Sequence, residues 1–423
     1  MKTFLVFACL AAATIIGGPL ASNTKTDWPA QAISTDEKQA QEAWQHLRQS
    51  GPEGLEELQD RYTKDVAAHR SGSAADPRWK RIAAALDHVG AQYDNYAAGL
   101  YWYTDLAQAR QAARDSGKPI LSLRLLGRLD EDLSCANSRF FRTTLYPSAE
   151  INRLLRENFI LHWETFRPVP RVTIAFEDGR KLERTITGNS IHYILDAEGR
   201  IIDALPGLYS ATVFADELNK SREALQQARA SGQKDYTAHY VATEERLLTA
   251  WTADLKTLGL VPAKSPMTRE ILERSTDDKK WRQIAGLHER TIRFDPAVRT
   301  LIAGKDQDAP SGSFSFPLPG SKAARYPSAE QAAGLAMTKS IVEIPMLSMF
   351  NRLTSSIALD TVRNNYLLRT RILGLLRNAG PMSLSDFNDQ VYAEVFLTPR
   401  YDPWLGLNPN DVFTAIDNNG EVL

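Results

Sequence analysis

Cysteine is almost absent from this chain: two residues, Cys9 and Cys135, among 423. So few cannot build a disulfide framework or a Cys-rich zinc or iron–sulfur site. Among the histidines, His288 in "GLHERTIRFDP" has no partner at metal-ligand spacing, and no metal or cofactor is expected. Excess charge is missing as well, because 50 Lys and Arg meet 51 Asp and Glu for a formal net charge of -1. With no basic stripe there is no electrostatic reason to expect a nucleic-acid partner. Low-complexity blocks and internal repeats are lacking too. Beyond the first two dozen residues, no stretch is apolar enough to span a bilayer.

The beginning of the chain differs in kind. "MKTFLVFACLAAATIIGGPLAS" has one Lys, an uncharged apolar run from Phe4 to Ile16, then Gly-Gly-Pro and small residues. That order is the pattern of a secretory signal, and the run is short of the roughly 20 residues of a membrane span. Residues 1–22 are therefore expected to direct export to a periplasm or the extracellular space and to be removed, Cys9 with them. The mature chain then keeps one cysteine, which cannot close a disulfide within its own chain. Such a residue is an intermolecular bridge, an inert packing thiol or a reactive one.

Length alone suggests two or three domains. Residues 23–99 read as a helical region, with Ala40, Ala43, Trp44 and Leu47 on one helical face. From 100 to 231 helices and strands alternate. "TDLAQARQAARDSGKP" is a helix capped by Asp105, and "ILSLRLLG" is a strand of buried length. "SRFFRTTLYPSAEINRLLRENF" is helical with a break at Pro147, and "FILHWETF" is a second strand. "RVTIAFEDGRKLERTIT" and "IHYILDAEGRIIDALPG" are hairpins turning at Asp178-Gly179 and Glu198-Gly199. A helix capped by Ser210 closes this part. Residues 236–423 are again mainly helical, with a Pro/Gly/Ser-rich stretch at 304–328 and a turn-rich "YDPWLGLNPNDVFTAI" near the end. The stripe of Phe387, Val391 and Val395, joined by Tyr392 and Phe396, reads as core.

The phrases "LAQARQAARDSGKPILSL", "PSAEINRLLRENFILHW" and "IHYILDAEGRIIDALPGL" resemble the exported thioredoxin-like proteins, over about a third of the chain. The fold class expected is α/β: a thioredoxin-like domain between a helical N-terminal region and a helical C-terminal domain. Counting back from Glu150-Ile151, the resemblance puts Cys135 and Ser138 on the two ends of the family's Cys-x-x-Cys, here Cys135-Ala136-Asn137-Ser138. It also puts Ser190 where the family carries a cis-proline, so Asn137, Asn189 and Ser190 are expected to shape substrate approach.

A thiol at a helix N-terminus meets unpaired N–H groups that favour its anion. Two functional expectations follow. In the first, Cys135 performs single-cysteine thiol–disulfide chemistry with a protein disulfide or a low-molecular-weight thiol, aided by Ser138. In the second, the missing second cysteine and missing cis-proline leave a redox-inactive scaffold that binds a protein or peptide. Strand alternation puts His192 on the face of Ser190, which makes it a candidate base.

Overall fold

The structure, a computed structural model, describes residues 26–71, 73, 75–185, 188–261, 267–292, 294, 353–380 and 382–402. The signal-like segment with Cys9, the stretch 304–328, the helix expected over 329–344 and most of the turn-rich C-terminal stretch lie outside the described residues. No helix among the described residues is long and apolar enough to cross a membrane.

Five helices come first: α1 (Trp28–Gln31), α2 (Glu37–Gln49), α3 (Pro52–Arg70), α4 (Pro77–Gly90) and the short α5 (Asn95–Ala98). Asp36 and Asp76 start α2 and α4 by accepting N–H bonds from the first turn, which satisfies donors that the helix itself leaves open. Ala43, Leu47, Leu58, Ile82, Leu86 and Val89 form an apolar cluster of their own within this part.

The α/β part begins with α6 (Leu106–Ser116), whose N-terminus Asp105 caps through the N–H groups of Ala107 and Gln108. Strand β1 (Ile120–Leu126) is buried at every residue and lies at the centre. After it come α7 (Ala136–Phe140), a π-helical turn (Phe141–Leu145) and α8 (Ala149–Asn158), the interruption falling around Pro147. Then follow β2 (Ile160–Arg167), β3 (Arg171–Ala175), β4 (Lys181–Thr185), β5 (Ser190–Leu195), β6 (Ile201–Pro206) and α9 (Ala211–Ser231). The main sheet has the order β2-β1-β5-β6, with β2 parallel to β1, β5 antiparallel to β1 and β6 antiparallel to β5. The fold is thus mixed α/β around a four-stranded mixed sheet. Among the described residues β3 and β4 pair only with each other, as a separate hairpin.

The C-terminal helices are α10 (Thr237–Thr257), α11 (Arg269–Ser275), α12 (Asp278–His288), α13 (353–378, π-helical over Asn364–Leu368) and α14 (Leu384–Glu394). The periodicity of "PMTREILERSTDDKKWRQIAGL" reads as one helix, yet it is two. Thr276 is extended, its hydroxyl held by Leu272 O and Trp251 Nε1, and Asp277 starts α12 by accepting the Lys280 N–H at 2.9 Å. These helices share one continuous apolar cluster with the sheet.

A buried ionic knot joins them to it. Arg369 of α13, with no exposed surface, donates to both oxygens of Asp203 on β6 (3.2 and 2.7 Å) and to Glu217 Oε2 on α9 (2.7 Å). His239 and Ser221 complete Asp203, and Arg246 completes Glu217. Burial opposes ionisation of both carboxyls, but Arg369 overrides it. With His239 it holds Asp203 well below the carboxylate range, and with Arg246 it brings Glu217 to about 2. Removing one partner of a buried pair strands the other charge, so Arg369→Leu should cost about 3–5 kcal/mol in urea denaturation at pH 7. A loss below about 1 kcal/mol would show that the knot is not a stabilising unit. In the wild type the knot's contribution is present above pH about 4.5 and is lost as pH falls toward about 2.

Candidate functional site

Cys135 stands just past the C-terminal end of β1, as the N-cap of α7. Its backbone is extended, which turns the side chain back over the first turn of the helix. There Sγ accepts the Ser138 N–H at 3.4 Å. The Ser138 hydroxyl donates to Cys135 O (2.9 Å) and to the Ser134 hydroxyl. Arg142, in the π-turn, reaches Ser134 Oγ, Asp132 O and the carboxylate of Asp94 at 3.2–3.3 Å.

The stretch "GNS", residues 188–190, lies against this turn. Asn137 Nδ2 donates to Ser190 Oγ at 2.9 Å, and the bare Cα of Gly188 packs on Asn137, where a Cβ would stand 2.7 Å from Oδ1. Asn137, Ser138 and Ser190 are thus gathered around Cys135, all buried. There is no cis peptide bond among the described residues. Asn189 points elsewhere. Its side chain donates to Thr398 Oγ1 (3.2 Å), and its carbonyl accepts the Tyr392 hydroxyl (3.2 Å).

These last contacts make a roof. Tyr392 of α14 stacks on Phe166 at 3.7 Å, and Arg400 lies over the other side of that contact, donating to Phe166 O at 2.7 Å. On the opposite side, Thr185 at the base of the β3–β4 hairpin donates to Ser134 O at 2.9 Å. Beneath the roof Arg167 is 4% exposed, and its Nε and Nη2 find no partner among the described residues. Cys135 itself has no exposed surface.

Burial decides the thiol's state. The N–H groups of Ser138 and Asn137 and the Ser138 hydroxyl favour the anion, but loss of water outweighs them and the pKa is raised. Cys135 is a neutral thiol at pH 7. His192 does not offset this. Its Nε2 bonds the Tyr146 hydroxyl at 2.8 Å, its ring lies edge-on to Phe141 and Phe214, and burial lowers its pKa to about 3. An imidazole that holds a proton so weakly is a poor base for a thiol.

Residues Tyr392, Thr398 and Arg400 were not candidates on sequence grounds, apart from Tyr392 as core. Nothing local marks them, because they meet Asn189 and Phe166 from some 200 positions away. Among the described residues no group of three His, Cys, Asp or Glu is placed to hold a metal ion. His288 instead bonds Asp254 at 2.8 Å.

The buried histidine has a measurable consequence. Its folded pKa lies below the unfolded value, so its contribution to stability is complete at neutral pH. That contribution falls as pH drops below about 6.5, where the unfolded chain takes up a proton that the folded chain does not. His192→Gln, which can still bond Tyr146, should flatten urea-derived stability between pH 6 and 4. The expected change is about 1.4 kcal/mol per pH unit, one proton's worth. Parallel curves for the two proteins would mean that His192 is protonated in the fold.

Among known proteins, no family model, no characterised protein and no solved structure matches the chain.

Proposed function

We propose that the chain is an exported thioredoxin-like protein whose cysteine is structural, and that it works as a redox-inactive scaffold binding a protein or peptide. The observation that carries this reading is the complete burial of Cys135, with Tyr392 of α14 close enough for the two groups to interact. The thioredoxin-like assignment is supported by a strand, a helix capped by Cys135, a parallel strand and an antiparallel hairpin, in the sheet order β2-β1-β5-β6. The signal-like pattern of residues 1–22 supports export.

A binding role has its own support in the β3–β4 hairpin. Val172, Ile174 and Phe176 alternate onto one face and are exposed, with Leu182 opposite Ile174 in the register. An isolated two-stranded hairpin is marginal in water. This one is held at its base by Thr185 and by an ion pair between Arg171 and Glu131. Both strands keep one edge unpaired among the described residues, so an extended peptide can add to it as a third strand.

The second reading, single-cysteine thiol chemistry, is favoured by the N-cap position of Cys135 and by the Ser138 N–H on its sulfur. It requires the roof to open. Iodoacetamide alkylation from pH 4 to 10 separates the two. The scaffold reading expects no labelling of the native protein near neutral pH and full labelling after denaturation. Native labelling that reaches its plateau at or below pH 7 would replace it with the redox reading. A partner retained equally by the wild type and by Cys135→Ser, and released by Ile174→Asp, is the expected companion result.

A further inference from the structure

Far from Cys135, a cleft runs between α3 and the segment Gly99–Tyr103, closed at its end by α8 and the start of β2. It consists of two cavities, of about 260 and 280 Å³, that share Gln59, Gly99 and Arg156. One side is a single face of α3: Glu56, Asp60, Thr63, Val66 and Arg70 follow one another at three- and four-residue steps, with Gln59 three residues after Glu56 and four before Thr63. The face is acidic at its first end and basic at its last.

At the basic end the donors converge. Gly99 has φ +59, and a Cβ there would stand 2.4 Å from Arg156 Nη2 and 2.6 Å from Gln59 Nε2. Both nitrogens therefore sit over one bare Cα, in space that only glycine leaves open. Gln59 Nε2 is buried and has no hydrogen-bond partner among the described residues. Arg156 spends Nε on Asn152 and Nη2 on Ala98 O, leaving Nη1 unspent, and no carboxylate lies within ion-pair distance of it among the described residues. Arg70 donates to Tyr96 O and Ala97 O beside it. Burial lowers the pKa of Arg156, the Glu56 carboxylate opposes that shift, and the Arg70 charge adds to it. An anion lodged at this end of the cleft meets positive charge from both guanidiniums.

The remaining walls describe what the anion is attached to. Val66, Leu86 and Tyr96 line the first cavity, and Leu100, Leu155 and Phe159 line the second. Glu56 and Asp60, along the second cavity, repel any further negative charge. From this polarity we infer that the cleft is a binding site for a small organic monocarboxylate. The carboxylate lies on Arg156, Arg70 and Gln59, and an apolar body extends toward Leu155 and Phe159. The site is independent of the Cys135 region and of the reading given to it.

Isothermal titration of the full chain with hexanoate, with hexan-1-ol and inorganic phosphate as comparisons, tests the assignment. Saturable binding of hexanoate is expected, with neither comparison compound approaching its affinity. Loss of a charged hydrogen-bond partner is worth about ten-fold or more in affinity, so Arg156→Gln should weaken hexanoate binding by at least that factor. Gln59→Leu, which removes only the neutral donor, should weaken it by a few-fold and guards against a folding defect in the first variant. Hexan-1-ol binding as well as hexanoate would overturn the anion site. Phosphate binding as well would overturn the apolar body. Unchanged affinity in both variants would overturn the location.

Discussion

The seating of α13 on the sheet depends on one buried guanidinium. Arg369 is enclosed between Asp203 and Glu217, so α13 cannot slide along β6 or α9 without stranding three charges away from water. Only five residues separate Asn378 at the end of α13 from Leu384 at the start of α14. Where α13 is fixed, α14 is therefore confined to the same end of the molecule. Phe387 and Asn388 then meet Tyr193, and Tyr392 reaches Asn189 and Phe166. The roof over Cys135 follows from a charge pairing on a different strand.

That roof determines which of two opposed effects governs the thiol. A helix N-terminus and hydrogen bonds from Ser138, Asn137 and Leu126 favour a thiolate, and in an open site such donors lower a thiol pKa by several units. Here the sulfur has lost all its water, and the desolvation of an anion outweighs these donors. The same burial keeps His192 neutral. A cysteine and a histidine that look like a catalytic pair along the strand are thus parts of one dry core, each paired with its own neighbour. Ser190 fits this picture, because its hydroxyl is occupied by Asn137.

Much of the fold was legible locally. The helix at Leu106–Ser116 with its Asp105 cap, the buried run Ile120–Leu126 and the hairpins at Gly179 and Gly199 each carry a period or a turn residue within a dozen positions. The gathering of Asn137, Ser138 and Ser190 around Cys135 was legible through a family-like spacing. What escaped was long-range. Arg369 reads as one polar residue in an amphipathic helix, and nothing nearby says that its partners are Asp203 and Glu217. Exposure was equally invisible, because the burial of Cys135 involves Tyr392, which no short-range pattern brings near it. The split at Thr276 was missed because a tryptophan from another helix claims that hydroxyl.

The two ends of the described chain are joined to the sheet in opposite ways, and this bears on what each can do. The C-terminal helices share its apolar core, so their release would expose a large oily surface. The N-terminal helices keep a separate core and reach the rest through side chains that donate to backbone carbonyls: Arg48 on Trp102, Arg156 and Asn152 on Ala98, and Trp163 on Ala91. Such bonds hold geometry, and Arg156 keeps its Nη1 unspent among the described residues. A junction built that way responds to an anion, because the ligand adds the countercharge that the carbonyls supply only in part. Control of this molecule by a small ligand is therefore physically easier at the N-terminal seam than beneath the roof of Cys135.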